Sequence, residues 1–157
     1  MRGWQPVDSD RYIEWMTLAL AEAKIAAAKG EVPVGAIMVH ADGVIARAHN
    51  LRETEHDPLA HAELLVIRES ARLLSRWRLS ECTLVCTLEP CPMCAGAIVN
   101  ARVDTVVFGA TDLKTGACGS LMNIVADPRL NHHPTVHAGI LAEESAALLR
   151  QFFEARR

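Results

Sequence analysis

The stretch LEPCPMCAG, residues 88–96, carries two cysteines separated by two residues, Cys91 and Cys94, where a helix is predicted to begin. A Cys-x-x-Cys pair occurs in thiol redox couples, as half of a structural zinc site, and as part of a catalytic metal site. The pair alone does not decide among these three kinds of site. The decision depends on which other residues join it.

A chain of 157 residues fits one domain, and half of its residues are apolar. A domain of this size buries roughly 70% of the surface of its unfolded chain, so its core needs neither disulfides nor a structural metal. A purely structural role for Cys91 and Cys94 is therefore disfavoured. We expect a single domain over residues 1–157.

Cysteine usage and the hydropathy pattern predict a cytoplasmic protein. Five cysteines, an odd number at uneven spacings, are typical of free thiols and metal ligands in a reducing compartment. The sequence has no run of about 18 apolar residues that could span a membrane. Its start, MRGWQPVDSDRY, lacks the apolar core of a signal peptide.

The formal net charge is −3, whereas a protein that depends on many phosphate contacts is normally basic. A nucleic-acid partner would therefore have to be bound through a local patch and through contacts to bases.

The order of predicted elements indicates an α/β sandwich. A helix over 10–29 has Asp8 or Ser9 as its N-cap and ends at Gly30. Two strands, 34–40 and 44–50, flank Ala41-Asp42-Gly43 and form a hairpin. The later elements are a helix with Asp57 as cap and Pro58 at its first position that carries 61–74, a strand at 83–90, a helix from Cys91-Pro92 to Asn100, strands at 104–110 and 135–137, and a helix over 140–157.

Two of the predicted helix starts carry the residues of a catalytic metal site. Cys91 and Cys94 are three residues apart, so they share a helical face and can hold one ion, and His61 would be the third ligand. Three protein ligands with an open fourth position are typical of catalytic zinc, which lowers the pKa of bound water to about 7. Glu63, two residues from His61, is the candidate proton shuttle.

The spacing of His61 and Glu63 sets a structural condition. Residues at positions i and i+2 do not share a helix face, so both can reach one pocket only if it lies across the helix end or if the first turn is irregular. On its own, His61 is more often an ordinary, partly buried histidine. The other cysteines, Cys82, Cys86 and Cys118, have no useful partner spacing and are interpreted as structural or incidental, and the spacing of His132, His133 and His137 favours a polar loop over a second metal site.

His-x-Glu followed by Pro-Cys-x-x-Cys is the signature of zinc nucleobase deaminases. From about Tyr12 to Phe153 the chain resembles the cytidine-deaminase-like superfamily and, within it, the bacterial tRNA-specific adenosine deaminases. The segments that carry the resemblance are EVPVGAI (31–37), HN (49–50), DPLAHAE (57–63), EPCPMCAGAI (89–98), VVFGATDLKTGACGSL (106–121), NH (131–132) and GILAEESAALLRQFF (139–153). The zinc motifs identify the superfamily, whereas the loop at 110–121, Asn131-His132 and the last helix point to the tRNA branch.

The resemblance implies a three-layer α/β/α sandwich with a mixed, roughly five-stranded sheet. It implies one Zn²⁺ per subunit held by His61, Cys91 and Cys94, no organic cofactor, and proton transfer by Glu63. It also implies a homodimer that converts the wobble adenosine of an arginine tRNA anticodon to inosine. The substrate-binding residues that the resemblance implies are Asn50, which should hydrogen-bond the purine, and Asn131, which should line the pocket. Asp112 and Lys114 are expected in the loop that lies along the RNA, and Phe153 near the anticodon nucleotides.

Three alternatives remain open at this point. A deaminase of a free base, such as guanine or cytosine, would share every zinc residue and differ only in its loops. A zinc-dependent RNA-binding subunit without catalysis has no need of Glu63. A thiol oxidoreductase would form a reversible Cys91–Cys94 disulfide, hold no stoichiometric zinc, and leave His61 and Glu63 without a role.

Overall fold

The computed structural model describes residues 9–157, which form a mixed five-stranded sheet and four α-helices. In chain order these are α1 (Ser9–Ala28), β1 (Gly35–His40), β2 (Gly43–His49), α2 (Ala62–Leu74), β3 (Cys82–Leu88), α3 (Pro92–Asn100), β4 (Thr105–Ala110), a 3₁₀ turn (Ile124–Ala126), β5 (Thr135–Ala138) and α4 (Ala142–Glu154). Every predicted strand and helix is present, with differences at the ends. Asp8, one of the two predicted caps of α1, lies outside the described residues.

The strand order is β2-β1-β3-β4-β5, with antiparallel pairs on the β1 side of β3 and parallel pairs on its β4 side. β1 and β2 form the predicted hairpin, in which Gly43 pairs with His40 and the turn contains Ala41 and Asp42 alone. Both turn residues have positive φ, 50° and 64°, as a two-residue type I′ turn requires.

Alternate side chains of the strands pack against different helices. Ala36 and Met38 of β1 face a cluster that contains Ala62 and Val66 of α2 and Ile98 of α3. On the opposite face, the second cluster consists of Met16, Ala19, Leu20, Ile37, Val39, Val85, Val107 and Ile140, and Leu148 of α4 packs against it. The sheet therefore lies between α2 and α3 on one side and α1 and α4 on the other, which confirms the three-layer prediction.

The predicted end of α1 is confirmed. Gly30 has φ of 82°, Gly30 N donates to Ala27 O at 3.0 Å and Glu31 N donates to Ala26 O at 2.9 Å. This is the Schellman arrangement, in which a glycine in the left-handed region satisfies the last carbonyls of a helix.

The predicted start of α2 at Asp57-Pro58 is wrong, because the helix begins at Ala62. Asp57 instead forms a local turn: its Oδ1 accepts from Leu59 N at 2.9 Å and its carbonyl accepts from Ala60 N at 3.1 Å. An Asx turn and a helix cap use the same carboxylate in similar ways, so the Asp-Pro pair does not distinguish them. The difference leaves His61 outside the helix.

No helix within residues 9–157 combines the length and the apolar character needed to cross a membrane.

Candidate metal centre

Three ligand side chains converge where α2 and α3 begin. His61 is the N-cap residue of α2, Cys91 is the N-cap residue of α3, and Cys94 lies in the first turn of α3. His61 Nδ1 is 3.6 Å from Cys91 Sγ and 3.5 Å from Cys94 Sγ. All three ligand atoms lie within 4.8 Å of one another, the one such cluster among the described residues.

The spacing of these atoms fits a tetrahedral zinc ion. With Zn–S bonds of about 2.3 Å and a Zn–N bond of about 2.0–2.1 Å, a tetrahedral ion holds its nitrogen and sulfur ligands about 3.6 Å apart. The two His61 distances match that value without any rearrangement. One imidazole and two thiols are also a donor set that zinc prefers.

The protonation of the cluster makes it ready for a cation. The Cys94 thiol donates to Cys91, which lowers the pKa of Cys91 to about 4, with a further contribution from His61. The same contact raises the pKa of Cys94, and the Cys91 sulfur raises the pKa of His61. At neutral pH the cluster therefore holds one thiolate, placed at the positive end of a helix dipole.

Glu63 reaches the same pocket because His61 precedes the helix. His61 has extended backbone angles, φ −77° and ψ 146°, whereas Glu63 is in the first helical turn. The pocket thus lies across the end of α2, which satisfies the condition that the spacing of the two residues sets. The Glu63 side chain is buried, burial raises its pKa, and its Oε1 has no hydrogen-bond partner.

A buried carboxylate oxygen without a partner is costly unless something else occupies the space beside it. Glu63 lines the same cavity as the ligands His61 and Cys91. The donor set, its spacing and this unpartnered oxygen all fit a catalytic metal.

The cavity beside the cluster has a volume of about 200 Å³, which suits a flat base better than a large ligand. Half of its polar residues come from the connection after β2 and the start of α2, and the other half from the segments that follow β3 and β4. It is lined by Val32, Val34, Asn50, Arg52, His61, Ala62, Glu63, Leu88, Glu89, Cys91, Asp112 and Thr115.

Asn50 keeps hydrogen-bonding capacity for a ligand. It is 7% exposed, its Nδ2 donates to Val32 O at 3.3 Å, and its Oδ1 accepts from Arg52 N at 3.1 Å. A primary amide has two N–H groups and two lone pairs. One donor and one acceptor therefore remain, which is what the edge of a purine needs.

Asp112 lines the cavity, but its carboxylate shapes its own loop. Oδ1 accepts from the backbone N–H groups of Lys114 and Thr115 at 3.0 and 3.2 Å, and Oδ2 accepts from the Thr115 hydroxyl at 2.8 Å. Lys114 is exposed beside Thr115 and is not part of the lining.

Asn131 and Phe153 do not reach this cavity. Asn131 is exposed and lines a separate groove beside α3, together with Gly96, Val99, Asn100, Arg102, Ile124 and Leu130. Phe153 is 50% exposed on α4, and its ring packs edge-on against Phe152. Of the five predicted RNA-contacting residues, the structure brings Asn50 and Asp112 to the pocket.

Two buried carboxylates beside the pocket were not singled out from the sequence. Glu89 is 2% exposed and accepts from the backbone N–H groups of Asp112, Cys118 and Ser120 and from the Ser120 hydroxyl. Glu31 is 1% exposed and accepts from Glu53 N and Thr54 N. The available signal was an isolated acid in an otherwise apolar segment, at the end of a strand or helix.

The remaining cysteines and histidines stay outside the cluster. Cys82, Cys86 and Cys118 are buried, and burial raises the pKa of each thiol, so they are protonated and unreactive. His132 and His133 bond to backbone carbonyls at 2.7 Å each.

The model of the MafB19-like deaminases matches residues 11–157. The chain belongs to this deaminase family. The deaminase is 54% identical over 143 residues to a tRNA-specific adenosine deaminase of Bacillus subtilis, covering 91% of this chain and 89% of that protein. It is 46% identical over 143 residues to a tRNA-specific adenosine deaminase of Haemophilus influenzae, covering 90% and 83%.

Two solved deaminase structures have the same overall fold as this chain. A structure from work on A-to-I editing by tRNA:A34 deaminases at the wobble position superposes with a TM-score of 0.84 at 43% identity, over 87% of this chain and 99% of that one. A guanine deaminase of Nitrosomonas europaea gives a TM-score of 0.68 at 25% identity, over 96% and 86%.

Proposed function

We propose that this chain is a hydrolytic deaminase that converts adenosine to inosine at the wobble position of a tRNA anticodon. The observation that carries the proposal is a His-Cys-Cys donor set that shares a cavity with Glu63, whose buried Oε1 has no hydrogen-bond partner. The chain is 54% identical over 143 residues to a tRNA-specific adenosine deaminase. The reaction consumes one water and releases ammonia as the amino group at C6 becomes an oxo group.

His61, Cys91 and Cys94 would hold one zinc ion. When bound, the metal supplies Lewis-acid activation of the attacking water at neutral pH.

Glu63 is the proton shuttle in this proposal. Burial raises its pKa, so the carboxylate is more basic than an exposed one and can take a proton from the attacking water at its Oε1. It then delivers that proton to the departing amino nitrogen. A positioned general base and acid of this kind contributes about 10²–10⁴-fold to the rate.

Asn50 orients the base through its spare donor and acceptor. Because anticodon bases are already unpaired, moving one into a small pocket costs less than opening a duplex. Binding of the base in the pocket therefore compensates for the weak electrostatic attraction between RNA and a chain with a net charge of −3.

The finer assignments are proposals that follow from the same function. We propose that the substrate is an arginine tRNA, that residues 1–157 act as one domain in a homodimer with one zinc per subunit, and that no organic cofactor takes part. We also propose a cytoplasmic location, which the five free cysteines support. Asp112 and Lys114 in the pocket-side loop, and Asn131 and Phe153 on more distant surfaces, are proposed to contact the anticodon stem-loop.

The test is direct sequencing of inosine in tRNA incubated with the purified protein. We expect inosine at the wobble position of an arginine tRNA and no product when guanosine replaces that adenosine. Free guanine and cytosine serve as competing substrates. Ammonia release from either base, without product on RNA, would overturn the proposal in favour of a free-base deaminase.

A further inference from the structure

Arg52 is the one lysine or arginine among the residues that line the metal-site cavity. Its side chain is exposed, and within residues 9–157 no carboxylate forms an ion pair with it. The carboxylates of Glu89 and Asp112, which share the lining, accept hydrogen bonds from the loop after β4. The charge of Arg52 lowers the pKa of Glu31, but no ion pair occupies its guanidinium, which is therefore available to a ligand at this cavity.

The backbone of Arg52 is held on both sides. Arg52 N donates to the side chain of Asn50 at 3.1 Å, and Arg52 O accepts from Asp57 N at 3.1 Å. The loop is closed at its base by Leu51 N donating to Ala60 O at 3.0 Å. The guanidinium thus projects from a defined position on the connection between Asn50 and His61.

Glu31 fixes the same loop from outside it. Glu31 lies between α1 and β1, is 1% exposed, and accepts from Glu53 N at 3.1 Å and from Thr54 N at 2.6 Å. Those are the two residues that directly follow Arg52. A carboxylate buried this deeply is retained only with good partners, and these partners are the backbone of the loop that carries Arg52.

We infer that Arg52 binds a backbone phosphate next to the target adenosine, and that Glu31 is a positioning residue that holds Arg52 in place. A planar guanidinium matches the geometry of a phosphate. The inference rests on the proposed function, since a polynucleotide carries a phosphate beside the reacting base and a free base carries none. It assigns Arg52 the role of distinguishing an RNA substrate from a free base.

The test compares two anticodon stem-loops, one natural and one with uncharged methylphosphonate linkages on both sides of the target adenosine. One charge-assisted contact is worth about tenfold in affinity. We expect the neutral linkages to raise KM about tenfold for the wild-type protein. Arg52→Ala should raise KM about tenfold on the natural loop, with kcat retained. On the neutral loop its KM should equal that of the wild-type protein.

Salt dependence gives a second measure of the same contact. Losing one phosphate contact to a single strand reduces the slope of log affinity against log salt by about 0.7. Arg52→Lys should keep the slope but bind more weakly, because it lacks the planar fork. Arg47→Ala is the matched control: Arg47 is exposed on β2, five residues earlier and outside the cavity lining, so this variant should keep the wild-type KM and slope.

Glu31→Gln tests the positioning role. One of its oxygens becomes an NH₂ group that faces a backbone N–H, so the loop loses an anchor. We expect a raised KM on the natural loop with kcat and bound zinc retained. In the Arg52→Ala background the substitution should add little, because residues that act through one contact are not additive.

The outcomes separate this inference from the proposed function. A wild-type protein that does not deaminate the natural loop overturns both. Wild-type deamination with an unchanged KM and slope for Arg52→Ala, or with equal loss on both loops, overturns the phosphate contact alone. If Glu31→Gln raises KM as much in the Arg52→Ala background as it does alone, the positioning role is overturned. If circular dichroism shows that Glu31→Gln is unfolded, the Arg52 comparison still decides the phosphate contact.

Discussion

At the scale of single residues, the site depends on where His61 stands relative to α2. As the N-cap residue it has extended backbone angles, and both His61 and Glu63 line one cavity at this helix end. If His61 were inside the helix, the two side chains would point about 200° apart. The proposed roles of His61 as a ligand and Glu63 as the base therefore depend on the helix starting after His61.

Glu63→Gln should bind zinc and RNA normally and lose turnover by about 10²–10⁴-fold. The amide fills the same volume but cannot accept a proton. Zinc content, RNA affinity and the single-turnover rate measure the three parts of this expectation. Glu69→Gln is the control, because Glu69 is on the outer side of the same helix and pairs with Arg72; an active Glu63→Gln protein would refute the shuttle role.

Cys91 should be the reactive thiol once zinc is removed. Its pKa is lowered to about 4, so it is a thiolate at pH 6, where ordinary thiols are almost fully protonated. Iodoacetamide at pH 6 should modify Cys91 in chelated protein and spare Cys82, Cys86 and Cys118, as peptide mass spectrometry would detect. Restoring zinc should protect Cys91, and equal labelling with and without zinc would contradict its assignment as a ligand.

At the scale of elements, the loop between β4 and the 3₁₀ turn is packed around the Glu89 carboxylate. A Cβ at Gly116 would lie 2.4 Å from Asp112 O and 2.4 Å from Glu89 Cδ. Neither atom is the end of a free side chain, since both take part in the hydrogen bonds that shape the loop. The loop geometry therefore requires glycine at this position.

Gly116→Ala should lower the free energy of unfolding by about 1–3 kcal/mol, as overpacking does. It should also raise KM for the stem-loop, because the displaced loop carries Asp112 and Thr115 into the cavity wall. Chemical denaturation and steady-state kinetics measure the two effects. Gly43→Ala, whose Cβ would lie 3.7 Å from His40 O, should stay within about 0.5 kcal/mol; equal effects of the two substitutions would exclude crowding as the cause.

The elements that the sequence predicted best are those with strong periodicity and clear end signals. Gly30, Pro92 and the alternating pattern of the hairpin strands each gave one interpretation, and the structure confirms them. Asp57-Pro58 led to a wrong prediction of where α2 begins, because in a helix cap and in an Asx turn the Asp carboxylate accepts the same kind of backbone hydrogen bond. Asn131 could not be placed from the sequence, since its distance from the metal cluster depends on how the chain crosses α3.

At the scale of the molecule, zinc would link the starts of two helices, α2 and α3, that are distant in the sequence. His61 precedes α2, whereas Cys91 and Cys94 begin α3, about thirty residues later. Neither apolar cluster contains any of the three proposed ligands, and both are made of hydrophobic contacts between strands and helices. The ion would therefore stabilise a fold that already exists.

Removing zinc with a chelator should leave the far-ultraviolet circular dichroism unchanged and lower Tm. A ligand present at 1,000 times its Kd stabilises the folded state by about 4 kcal/mol, and adding zinc back should restore that increment. Calorimetry of the holo, chelated and reconstituted protein tests this. Loss of the dichroism signal on chelation would mean that the metal is needed for folding, contrary to the expectation.

Each of the two loops at the pocket is also held by a buried carboxylate that lies outside it. Glu31 and Glu89 bind backbone N–H groups, and a backbone N–H is present whatever side chain the residue carries. Leu113, 80% exposed, and Lys114 can thus be exchanged while the loop keeps its path. Substrate preference in this scaffold can therefore be changed, by natural selection or in a mutagenesis library, at positions where a substitution has little effect on folding.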